Sequence, residues 1–233
     1  MNNVGTILQK QWKDTWKNKV VLIQFLMFPV LGVVMTNMVK IDGMPEHFFA
    51  NLFSTMYVGM APLTSMSAIL SEEKEKNTLR VLMMAGVKPG QYLAGIGCYV
   101  YFACLLGAGV FCALLGRMGV WQVLLFFAIM SAGILASMML GAAIGVGSRN
   151  QMAATSVTVP VMMVFSFLPM IAMFHDGVAR AAKLTYSEQV RILVSGLLEK
   201  GGDGSGMAWV VIGGNILVFG GVFAALYQRR GLA

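Results

Sequence analysis

Charged residues are absent from six long segments of the chain: 20–39, 49–70, 92–116, 120–147, 153–174 and 207–227 contain no Asp, Glu, Lys or Arg. About 20 apolar residues carry a helix across the hydrocarbon of a bilayer, so each segment is long enough to cross. Only 12% of the 233 residues are charged and 58% are hydrophobic, whereas soluble domains carry about 25% charge. The segments are continuous rather than alternating, which excludes a transmembrane barrel built from strands of about 10 residues. The expected fold class is an all-α integral membrane protein, with six transmembrane helices in a single domain over residues 1–233.

Lys10, Lys13, Lys17 and Lys19 precede the first segment as a signal peptide's basic region would. The apolar run is too long for a signal core and no A-x-A site follows, so a retained span is expected. Pro29, Pro62, Pro160 and Pro169 fall within spans, where they imply kinks rather than ends. Cys98, Cys104 and Cys112 form no CxxC pair, and their apolar setting marks them as inert thiols.

Orientation follows from the connections. With the N-terminus in the cytoplasm, eleven of the 17 Lys and Arg lie inside, the arrangement that the positive-inside rule favours. Both termini are then cytoplasmic, and the outer segments carry as many acids as bases. The net charge of +7 is thereby a feature of one membrane face, and nucleic acid is not an expected partner.

Four segments carry more specific information. In residues 1–19, Val4, Leu8, Trp12 and Trp16 recur every fourth position among lysines, the pattern of an interfacial amphipathic helix on the cytoplasmic side. Leu8, Trp12 and Trp16 make it a membrane anchor, a docking surface, or both. Residues 71–91 read SEEKEKNTLRVLMMAGVKPGQ: three acids among four bases surround Leu79, Leu82 and Met83 at helical spacing, with Gly86 and Pro89 as stop signals. So short a helix has no core of its own, and its apolar face is expected to seek another protein rather than pack under its own spans.

On the outer side, residues 175–206 are too long for a turn. Val190, Leu193, Val194, Leu197 and Leu198 follow the helical period after Ser187 as N-cap. An amphipathic helix half-buried in the outer interface is expected there, closing the bundle or gating an exit. Gly133, Ser137, Gly141 and Gly145 line one side of the fourth span and form a helix-packing seam, its neighbour in the same chain or another.

Chemistry of several kinds is missing. No GxxxxGK[ST] sequence occurs, so nucleotide binding in this chain is unsupported and no catalytic residues are assigned. His47 and His175 have no ligand-spaced partners, so no metal or cofactor site is assigned. The spans lack the ionisable groups of proton- or ion-coupled carriers. Any work must be powered from elsewhere.

The string SEEKEKNTLRVLMMAGVKPGQYLAG resembles the first cytoplasmic loop of permease subunits of ATP-binding-cassette (ABC) exporters of the type-2 class. Glu72, Glu73 and Glu75 match that family's acidic cluster, Thr78 and Leu79 its following step, and Leu82 and Met83 its short apolar helix. Asn77 stands where the family often has Gly, and Gly95 where Lys is common. The resemblance implies that Glu72, Glu73, Glu75, Thr78, Leu79, Leu82 and Met83 couple to separate ABC ATPase subunits. ATP and magnesium would sit in those subunits, with no cofactor in this chain. It also implies a second permease subunit, identical or a sibling, and a path for export from the cell through the plasma or inner membrane. An apolar or amphipathic substrate such as a drug, lipid or peptide fits spans without charge. A non-transporting sensor or scaffold, or a carrier with neutral ligands, are the other classes the sequence allows.

Overall fold

Backbone amides in a long apolar segment can be satisfied only within the segment, and the chain is helical accordingly. The computed structural model describes residues 19–39, 47–76, 88–200 and 206–230, with residues 5, 7, 11–13, 45 and 84. Among the described residues, eight helices with defined ends run in order: α1 Lys19–Met38, α2 Phe48–Glu75, α3 Pro89–Leu114, α4 Val120–Gly147, α5 Gln151–Ala172, α6 Asp176–Ala182, α7 Tyr186–Lys200 and α8 Gly206–Arg230. Pro29, Pro62, Pro160 and Pro169 all lie inside helices. Helix ends use ordinary chemistry: Pro89 opens α3, Gly116 at φ 80° follows its last turn, and the Asn150 side chain accepts the Ala153 amide at 2.8 Å to cap α5.

Among the described residues, four helices are long and apolar enough to cross a membrane: Pro89–Leu114, Val120–Gly147, Gln151–Ala172 and Gly206–Arg229. The described part of α1 that is apolar, Leu22–Met38, is shorter. α2 is long enough but less apolar, and its position explains why. It is the central helix, packed by α1, α3, α4, α5 and α7. Its hydroxyls therefore meet protein: Ser54 and Thr55 bond the Asn51 carbonyl, Thr64 that of Met60, and Ser67 pairs with Thr158 of α5 at 2.8 Å.

Two expectations change. The second span was expected to stop at Leu70, with the acidic cluster in a loop beyond it. Instead α2 continues to Glu75, because Glu and Lys are good helix formers and Glu72 pairs with Lys76 one turn on, at 2.5 Å.

The amphipathic helix expected half-buried in the outer interface is instead buried within the bundle. α6 and α7 form a hairpin that re-enters the bundle, and Val190, Leu193, Val194 and Leu197 are within its core. At the tip, Tyr186 donates to Ser137, midway along α4, at 3.1 Å, and stacks on Phe165 of α5. From there α7 climbs antiparallel to α4 until the Gln122 side chain meets the Leu197 carbonyl at 3.4 Å. A helical period identifies an apolar face, but protein and lipid headgroups satisfy it equally.

With the hairpin comes an ion pair that spans free of charge did not suggest. Glu188, 3% exposed, accepts Arg191 Nε at 2.9 Å and Nη2 at 2.6 Å. A bidentate fork of this kind offsets much of the cost of burying the carboxylate.

Candidate coupling site at one end of the bundle

The last turn of α2 is the densest polar junction described. Four consecutive charged residues each take a separate partner. Glu72 holds Lys76; Glu73 Oε1 accepts Gln11 Nε2 at 3.2 Å; Lys74 Nζ donates to the Val146 carbonyl at 3.1 Å; and Glu75 Oε2 accepts the Gln151 amide at 2.8 Å.

Two of these contacts follow helix-end electrostatics. The last carbonyls of α4 lack intrahelical donors, and an ammonium group at that end meets the negative pole. The first amides of α5 lack acceptors, and a carboxylate there meets the positive pole. Adjacent residues of one helix thus hold both sides of the short turn 148–150.

The N-terminal segment joins the same end. Residues 5, 7 and 11–13 are helical. Ile7 is buried against Gly95 of α3, where a Cβ would come within 2.7 Å of Ile7 Cγ2. Gly95 leaves the room that a longer side chain would fill. Gln11 is buried, and Trp12 meets Tyr99 edge-on at 6.4 Å while remaining half exposed. The tryptophan pattern missed Gln11, which lies one helical turn from Ile7 and could have been found from that spacing. Leu8 and Trp16 lie outside the described residues.

Of the proposed coupling residues, Glu72, Glu73 and Glu75 are brought together here. Thr78, Leu79, Leu82 and Met83 lie outside the described residues. Met84, described alone between Lys76 and Lys88, is helical and 76% exposed.

The small-residue line of α4 faces its own chain. A Cβ on Gly141 would run into the backbone of Leu63, with the carbonyl carbon at 3.0 Å; one on Gly145 would come 3.1 Å from the Ser67 carbonyl oxygen. At Gly133 the obstacles are Val58 of α2 and Val190 of α7, each 2.7 Å away. Ser137 receives Tyr186. The seam therefore seats the central helix and the re-entrant hairpin together. Among the described residues, no three His, Cys, Asp or Glu side chains lie close enough to hold a metal.

Residues 46–185, from the start of α2 through α6, match the family model described as ABC-2 family transporter protein. The chain belongs to the ABC-2 transporter family. It is accordingly a multi-pass membrane protein of the permease type, a membrane component and not itself a catalytic subunit. No curated protein matches the chain. The matched part of this ABC-2 permease includes the charged end of α2, the α4 seam and the first arm of the hairpin.

Proposed function

We propose that this ABC-2 permease is the membrane-spanning half of an ATP-driven exporter, worked by separate ATPase subunits that dock on residues 71–91 and the N-terminal helix. The observation that carries this reading is the junction at the end of α2. One helical turn contacts the N-terminal segment and both helices flanking the turn 148–150, so a displacement applied next to it reaches α4 and α5 at once. That layout suits a subunit that receives force rather than one that generates it. Glu72, Glu73 and Glu75 then serve to seat the docking segment on the bundle, while Leu79, Leu82 and Met83 face the ATPase. The exposed apolar side chain of Met84, next to them, supports a partner-facing surface.

All six charge-free segments cross the bilayer in this reading, with both termini in the cytoplasm of a plasma or inner membrane. α1 and α2 cross as well as the four more apolar helices, α2 because protein rather than lipid surrounds it. A second permease covers the open face of α5, where Val159, Met163, Phe167 and Met170 are exposed, and the cargo is apolar or amphipathic.

The test is co-purification with the ATPase encoded beside it or co-expressed with it. Leu79→Asp and Leu82→Asp are expected to abolish co-purification and ATP-dependent transport while leaving membrane insertion intact. Retained association and transport in both variants would refute the docking assignment.

A further inference from the structure

At the end of the bundle away from Glu72 and Glu75, the start of α2, the end of α5 and the outer part of α7 enclose a cavity of about 380 Å³. Its volume is within the range of small-molecule sites. Among the described residues its polar lining is His47, Asn51, Arg191 and Ser195, and its apolar lining includes Leu52, Met173 and Leu198.

The polar groups are incompletely used. Asn51 Nδ2 donates to Ser195 Oγ at 2.6 Å, yet Asn51 Oδ1 is buried with no hydrogen-bond partner. Arg191 gives Nε and one Nη2 hydrogen to Glu188, which leaves three of the five guanidinium donors. Ser195 accepts from Asn51, so its own hydroxyl hydrogen can be given elsewhere. The cavity therefore offers an orphaned amide acceptor beside spare donors. A native buried polar atom without a partner calls for an explanation, and a ligand supplies one.

We infer that this cavity binds the uncharged, hydroxyl-bearing headgroup of a neutral lipid of the acylglycerol kind, with its chain against Leu52, Met173 and Leu198. A hydroxyl both donates and accepts, so one group satisfies Asn51 and also receives from Arg191 or Ser195. It satisfies the Asn51 amide in either orientation of its oxygen and nitrogen. Charge is disfavoured in both signs. The Glu188–Arg191 pair already sums to zero; an acid would set two carboxylates on one guanidinium and leave a net buried negative charge, and an amine would face the guanidinium. The site uses no property of the ATPase and stands independently of the export reading.

The test uses the full chain in phospholipid nanodiscs with a monoacylglycerol carrying a photoreactive diazirine in its acyl chain. Crosslinks are expected to concentrate on peptides covering residues 45–52 and 191–198. Unlabelled monoacylglycerol should compete; the fatty acid and the alkylamine of equal chain length should not. Asn51→Leu should lower labelling of the cavity about tenfold, the loss of roughly one buried hydrogen bond, and Ser195→Ala severalfold. Labelling at Phe102 and Leu106, exposed on α3, should stay constant and reports folding and bulk lipid. If Asn51→Leu loses that control labelling, Ser195→Ala alone decides. Labelling no denser in the cavity than at Phe102, equal competition by the acid or the amine, or unchanged labelling in the folded variants would each overturn the assignment.

Discussion

Replacing Gly141 by alanine adds one methyl group where α4 crosses α2. The new Cβ would lie 3.0 Å from both the carbonyl carbon and the Cα of Leu63, and closer still to its oxygen. Carbon atoms rest about 3.5–4.0 Å apart, and backbone has no rotamer through which to retreat. The helices must part by about 0.5–1 Å, which forfeits roughly a quarter to a half of the dispersion energy at contacts on either side. Overpacking of this sort costs about 1–3 kcal/mol. Alanine recovers about 1 kcal/mol of helix propensity over glycine, so the net loss is about 0–2 kcal/mol. At roughly 2–4 °C per kcal/mol for a chain of this size, the melting midpoint should fall by up to about 8 °C, and should lie about 2–12 °C below that of a variant that gains the same propensity without the clash. Gly97→Ala is the matched control: its Cβ would meet only the flexible end of Met138, at 3.8 Å, so propensity dominates and stability should hold or rise. The assay is thermal unfolding of the two purified variants and the parent in the same lipid nanodisc. A Gly141→Ala protein as stable as Gly97→Ala would refute the argument that the seam is closed by backbone contact.

Tyr186→Phe removes the bond to Ser137 and leaves a buried hydroxyl unserved, at about 1 kcal/mol; faster amide exchange confined to residues 183–190 is the expected reading. Arg191→Met strands Glu188 and should cost about 3 kcal/mol, whereas the double change with Glu188→Gln should recover most of that loss in a chemical unfolding series. Glu75→Ala deprives the first turn of α5 of its acceptor, a loss of about 1 kcal/mol. Exchange should quicken at the Gln151 amide and not at the far end of α5.

Much of the helical layout could be read from where charge stops, since lipid leaves the backbone few alternatives. The bounds of α4 were legible to the residue because Gly119 and Ser148 flank an uninterrupted apolar run. The end of α2 was not, because Glu and Lys prolong a helix as readily as they terminate a span. The hairpin was half legible. The apolar period of Val190, Leu193, Val194 and Leu197 marks a helix, but the depth of its tip depends on Ser137, Phe165 and Tyr186 meeting across three separate segments. Glu72, Glu73 and Glu75 stood out as a cluster; their partners Gln11 and Gln151 did not, since neither belongs to a motif and one contributes only its backbone amide. The cavity beside Asn51 had no sequence signal at all, being a property of how three helix ends diverge.

Lys74 and Glu75 grip the neighbouring helices through main-chain atoms, the carbonyl of Val146 and the amide of Gln151. The exposed side chain of Gln151 is therefore free to vary without loosening the grip, while Val146 is held by its burial in the core and the number of residues between the two is fixed. One residue added to the turn 148–150 would displace the start of α5 by up to about 3.8 Å relative to α4 and carry its first amide out of reach of Glu75. In this protein a substitution at the exposed Arg149 should be silent where an insertion is disabling, so that spacing, together with the Asn150 cap, is what selection would have to guard there.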